Sequence, residues 1–139
     1  MWVIFALLAA IFAALVAILA KIGMEGVNSD VATAIRTVVI LFVAWGLVFA
    51  RGISGEIHHL TQKNWIFLIL SGIVTGLSWI FYFRALKIAE VAQVAPIDKL
   101  SVAIAILLAF FFLGERPSPR VLLGAGLVIS GALVIALDH

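Results

Sequence analysis

Residues 1–20, MWVIFALLAAIFAALVAILA, contain twenty consecutive residues without a single charge. A helix rises about 1.5 Å per residue, so a stretch of this length reaches across a hydrocarbon core about 30 Å thick. The same reading applies at four further places. Residues 31–50 carry one charge, Arg36, near their start. Residues 64–83 carry none, and residues 91–114 hold only the early pair Asp98 and Lys99. The last stretch, residues 120–137, is uncharged from Val121 onward. Each run is continuously apolar, whereas barrel strands alternate over roughly ten residues. Helices remain, because in lipid the backbone must bond to itself. The expectation is an all-α integral membrane protein with five transmembrane helices.

Composition agrees. Of 139 residues, 65% are hydrophobic and 12% charged, against roughly 45–50% and 25% in ordinary globular domains. Mean hydropathy is +1.30. A soluble enzyme or binding module of this size could not hide so much apolar surface. There is no cysteine, hence no disulfide and no thiolate nucleophile or metal ligand. The net charge of +2 comes without a basic block, which argues against nucleic acid as a partner. The links 21–30, 51–63, 84–90 and 115–120 are short, so residues 1–139 read as one transmembrane domain. Residues 1–20 have neither a basic leader nor a small-x-small cleavage pattern, and are expected to stay as a span.

Orientation is balanced. With five spans the two ends of the chain lie on opposite sides. The links on the side of Met1 hold Arg51, Lys63, Arg116 and Arg120. The other side holds Lys21, Arg84 and Lys87, with Arg36 and Lys99 just inside the helix ends. Positive charge sets orientation, and four against three or five sets none. Such a chain can insert both ways, and two opposed copies would form the inverted pair that many secondary transporters carry in one chain. The alternative is a single orientation that this count does not resolve.

Small residues mark packing faces: Ala6, Ala10, Ala13, Ala17 and Ala20 in the first span, Gly72 and Gly76 in the third, and Gly124, Gly126, Ser130 and Gly131 in the fifth. These serve either a dimer or packing within the chain.

Ionisable residues inside a membrane are costly and are functional candidates. Here they gather toward one side. Arg36 and Lys99 lie roughly 9 Å inside their spans by helical rise, and Trp79 and Tyr82 lie at similar depth. Lys21, Glu25, Asp98, Ser78 and Ser101 complete a candidate vestibule. Arg36 or Lys99 would meet an anionic group, and Asp98 or Glu25 a cationic one. Pro96 is a candidate helix break, since its missing N–H frees a carbonyl. The alternative is that the basic side chains snorkel and the aromatic ones form an interfacial belt, the preferred reading for Arg84, Lys87 and Tyr82. Asp98 and Lys99, being adjacent on a helix, need not pair. His58 and His59 follow Glu56 in a link with no further ligand at metal-site spacing, so no metal is expected. Gln93 reads as a helix-end hydrogen bonder and Glu115 as a helix terminator. No nucleophile–base pair or phosphate loop is present, so neither enzyme chemistry nor a cofactor is expected.

Residues 78–115 carry the most specific pattern, SW-x-x-Y-x-x-AL, then V-x-P-x-DKLS, then FLGE, followed by LLGAGLVISGALVIAL. Lys21 and the tripeptide IRT at 35–37 fit it as well. The chain resembles the EamA-type domain of the drug/metabolite transporter superfamily, as a single five-span repeat like those of the short bacterial and archaeal transporters. The resemblance implies an antiparallel homodimer in the cell inner (plasma) membrane. Spans one to four of each half would line the pathway, span five would support assembly, and the substrates would be small polar metabolites. A non-transporting membrane scaffold and a small multidrug exporter of organic cations stand as alternatives.

Overall fold

A computed structural model describes residues 1–137. Among them every regular element is helical: α1 (Trp2–Gly23), α2 (Ser29–Ala50), a 3-10 helix (Ser54–His59), α3 (Gln62–Ile88), α4 (Val91–Asp98), α5 (Leu100–Leu108), a π-helical turn (Ala109–Leu113) and α6 (Pro119–Ala136). Five stretches are long and apolar enough to cross a membrane: α1, α2, α3, the run Val91–Leu113, and α6. No more than 11% of the most apolar window of any span is buried by protein. So large an apolar exposure matches the composition and fits helices made for lipid.

Contacts gather in two units, Met1–Lys87 and Ile88 onward. In the first unit, burial concentrates where α1 ends, α2 begins and α3 ends. Ala17 and Ala20 of α1, Met24, Ser29 and Thr33 of α2, and Phe83 and Leu86 of α3 are the buried residues, with Leu86 fully enclosed. Only the last two members of the alanine stripe are used in this way; Ala6, Ala10 and Ala13 stay exposed. The turn between α1 and α2 passes through Gly26 at φ +72°. The Asn28 side chain then caps α2 by accepting from the Asp30 amide at 2.8 Å, which satisfies an orphan donor of the first turn. Helix α2 so starts two residues before the apolar run does.

In the second unit α6 packs against α4 and α5, with Ala132 and Val94 buried. A reciprocal capping box between Glu90 and Gln93 opens α4, in keeping with the helix-end role expected of Gln93. Pro96 sits in the second turn of α4. The interruption comes three residues later at Lys99, whose amide donates to the Pro96 carbonyl at 3.0 Å. The fourth span ends in a π-helical turn closed by Gly114 at φ +68°, a left-handed cap that favours glycine. Ser118 then caps α6, with Pro119 in its first turn.

Glycines on the other small-residue faces have no neighbours. A Cβ built on Gly72, Gly76, Gly124, Gly126 or Gly131 would meet nothing within 4 Å. Within their own units these faces are not filled by a close neighbour.

Candidate functional site

Three long basic side chains tie the ends of the first unit together. Lys21 of α1 donates to the Leu86 carbonyl of α3 at 2.5 Å. Lys87 donates to the Val27 carbonyl in the α1–α2 turn. Arg84 grips Asp30 with both arms of its fork, Nε to Oδ1 at 2.9 Å and Nη2 to Oδ2 at 2.6 Å. Each bond joins residues 54 or more apart in sequence. Arg84 and Lys87, expected to snorkel, instead reach across to fixed acceptors. That explains why α3 runs on to Ile88 and does not stop at the first charge: a long stem lets the helix continue while its head finds a partner.

Both partners of the Arg84–Asp30 pair are about half exposed. An exposed ion pair contributes about 0.2–1 kcal/mol. Arg84→Ala is therefore expected to lower unfolding stability by no more than about 1 kcal/mol, read by thermal denaturation in detergent. A larger loss would mean that this clasp, and not apolar burial, holds the three helices.

Arg36 differs from these three. It lies two turns into α2, with its guanidinium carbon 4.0 Å from the centre of the Phe83 ring. Stacking of this kind contributes about 0.5–2 kcal/mol. Tyr82 sets its ring edge-on to Phe83 at 5.2 Å. Arg36 Nη1 is buried and has no hydrogen-bond partner. Nearby, the hydroxyls of α2 are turned inward to the helix itself: Thr33 Oγ1 donates to Ser29 O at 2.7 Å, and Thr37 Oγ1 to Thr33 O at 2.9 Å. They leave Arg36 as the polar group of this helix face whose bonding is incomplete.

The other candidates fall in distinct places. Glu25 lines a cavity of about 360 Å³ together with Lys21 and Lys87. Ser78 and Trp79 line one of about 510 Å³ along α3, with Phe67, Leu70, Ser71, Val74 and Thr75. Ser71 and Thr75 were not singled out from sequence, although their spacing to Ser78, four and then three residues, already places three hydroxyls on one helix face. In the second unit Lys99 Nζ pairs with Asp98 Oδ2 at 3.1 Å. They meet because Lys99 sits in the break between α4 and α5, where regular helical divergence no longer applies. Ser101 is exposed on α5. The link expected to carry His58 and His59 as a loop is a short 3-10 helix. With Trp45 and Val48 it borders a mostly apolar cavity of about 560 Å³.

The EamA-like transporter family matches residues 1–137. The chain belongs to this family. A transporter in the cobO 3' region of a Sinorhizobium species, itself uncharacterized, is 46% identical over 98% of this chain and 96% of its own length. The uncharacterized transporter YxxF of Bacillus subtilis is 30% identical over 93% of this chain, which spans only 40% of that protein. The riboflavin transporter of Rhizobium johnstonii is 30% identical over 65% of this chain and 28% of its own length. No solved structure matches. As an EamA-like protein with five helices long and apolar enough to cross a membrane among its described residues, the chain is a multi-pass membrane transporter.

Proposed function

We propose that this EamA-like chain is a secondary transporter of small polar metabolites in the cell inner membrane, working by alternating access as an antiparallel homodimer. One observation carries the reading: the same five-span unit covers 96% of the Sinorhizobium relative but 40% of the Bacillus one. The longer relative has room for a second unit of this size. A single unit meets the same need by pairing with a second copy. The two-fold axis of an inverted pair lies in the membrane plane, and the even distribution of Lys and Arg among the links permits both orientations. The unfilled glycine faces of α3 and α6 offer close-approach surfaces for the partner copy.

Within the unit, the substrate would pass the end where α1, α2 and α3 converge, near Arg36, Tyr82, Ser78 and Trp79. The relative named for riboflavin supports a polar, metabolite-sized solute. The organic-cation reading asks for an available embedded acid: Asp98 is paired with Lys99, which leaves Glu25, on the 360 Å³ cavity beside Lys21 and Lys87, as its candidate.

Transport itself is tested by loading proteoliposomes with a cell metabolite extract and following efflux by mass spectrometry. Selected polar solutes should leave vesicles containing the protein at rates well above empty vesicles. No protein-dependent efflux of any solute would refute the transporter reading and favour a scaffolding role.

A further inference from the structure

We infer that Arg36 is the oxyanion receptor of the pathway, so that the transported solute carries a carboxylate or phosphate group. The inference rests on the transporter reading and narrows it to a substrate class.

Four basic residues stand at the converging end of the first unit, and three are engaged. Lys21 and Lys87 give to backbone carbonyls, and Arg84 is satisfied by both oxygens of Asp30. Arg36 alone among these four combines burial with an open donor, Nη1. A buried charged donor without an acceptor is among the costliest defects a fold can hold. A neutral acceptor would satisfy the bond but leave the charge uncompensated in a poorly screened place. An anionic oxygen satisfies both.

The shape of the guanidinium says which kind of anion. The Arg36 guanidinium carbon stands over the Phe83 ring, 4.0 Å from its centre, and a guanidinium presents its N–H donors as a planar fork. That fork suits the paired oxygens of a carboxylate or phosphate. An ammonium carries no such planar fork. Phe83 is almost completely buried, so the ledge beneath the guanidinium is fixed before any solute arrives. Along α3, one turn before Tyr82, Ser78 continues the line of hydroxyls through Thr75 to Ser71 that borders the 510 Å³ cavity. These offer the polar remainder of the solute its partners. Within the first unit, Asp30 is taken by Arg84.

A lipid phosphate shares this chemistry, and the experiment separates the two sources. Wild-type protein, Arg36→Gln and Arg36→Lys are reconstituted in phosphatidylcholine vesicles, with and without phosphatidylglycerol, and loaded with the metabolite extract. Circular dichroism checks that each variant is helical. The lysine variant keeps the charge and loses the two-pronged edge, so it remains informative if the glutamine variant does not fold. Solutes that leave wild-type vesicles should bear a carboxylate or phosphate. Their efflux should fall about 10- to 100-fold in Arg36→Gln, the loss of a charge-assisted bond, and by an intermediate factor in Arg36→Lys. Phosphatidylglycerol should not change which solutes leave. If neutral or cationic solutes leave and Arg36→Gln matches wild type, the oxyanion role is overturned and the transporter reading stands. If phosphatidylglycerol raises the melting temperature of wild type but not of Arg36→Gln, while efflux ignores solute charge, the residue binds lipid and the inference is likewise overturned. If nothing leaves wild-type vesicles, the transporter reading fails and the inference goes with it.

Discussion

Two versions of this chain, each locked in one orientation, should be inactive alone and active together. Glu56→Lys, Gln62→Lys and Glu115→Lys in one version raise the positive charges in the links on the Met1 side from four to seven. Arg51→Ala, Lys63→Ala and Arg116→Ala in the other lower them to one. Lysine and arginine in short links decide which side stays in the cytoplasm, so the two versions should insert in opposite senses. Neither can then build an inverted pair from its own copies. Solute efflux should fall at least about tenfold for each version alone, as expected of a strong orientation bias, and recover when both are expressed in one cell. Reporters fused after α6, one active inside the cell and one outside, check the orientation of each version. Both should report for the wild-type chain and only one for each locked chain. Full efflux from either locked version alone would rule out the antiparallel pair.

The second large effect is on stability. Leu86 is fully enclosed, with 0% of its surface exposed, while Leu127 of α6 is 75% exposed. Truncating a buried leucine removes contacts and leaves a cavity, at a cost of about 2–5 kcal/mol. Leu86→Ala is therefore expected to lower the melting temperature in detergent by about 6–15 °C. Leu127→Ala faces lipid or detergent and should stay within about 0.5 kcal/mol of wild type. Equal losses at both positions would show that protein burial near the α3 terminus is not what holds the first unit.

The five spans were legible in the sequence because lipid makes a simple demand. It asks for an unbroken apolar length, and composition shows that without any knowledge of contacts. The ends of the spans were less legible, for a reason visible at α3. Arg84 looks like the edge of a membrane segment when only its charge is read. With Asp30 as a partner 54 residues away, the helix continues another turn. The fourth span hides its break in a similar way. Pro96 advertises a defect, but the proline is tolerated early in α4, and the interruption falls at Lys99 where the chain changes from one helix to the next. As for the candidate site, the depth of Arg36 could be read from its position. Its stacking on Phe83 and its open Nη1 could not, because both depend on how α2 meets α3. The hydroxyl line of Ser71, Thr75 and Ser78 lay open to a spacing argument and was missed because serine and threonine in a span, bonded back to the helix as Thr75 is to Ser71, carry no charge to draw notice.

The clasp at the end of the first unit also sets a schedule for biosynthesis. Asp30 leaves the ribosome 54 residues ahead of Arg84. Translation at about 5–20 residues per second puts about 3–11 s between them. Lys21 waits for the Leu86 carbonyl slightly longer, across 65 residues. During that interval Lys21 and Asp30 are without the α3 partners that they have in the finished fold. The first two spans are thus a holding pattern, and the arrival of the end of α3 is the event that fastens them.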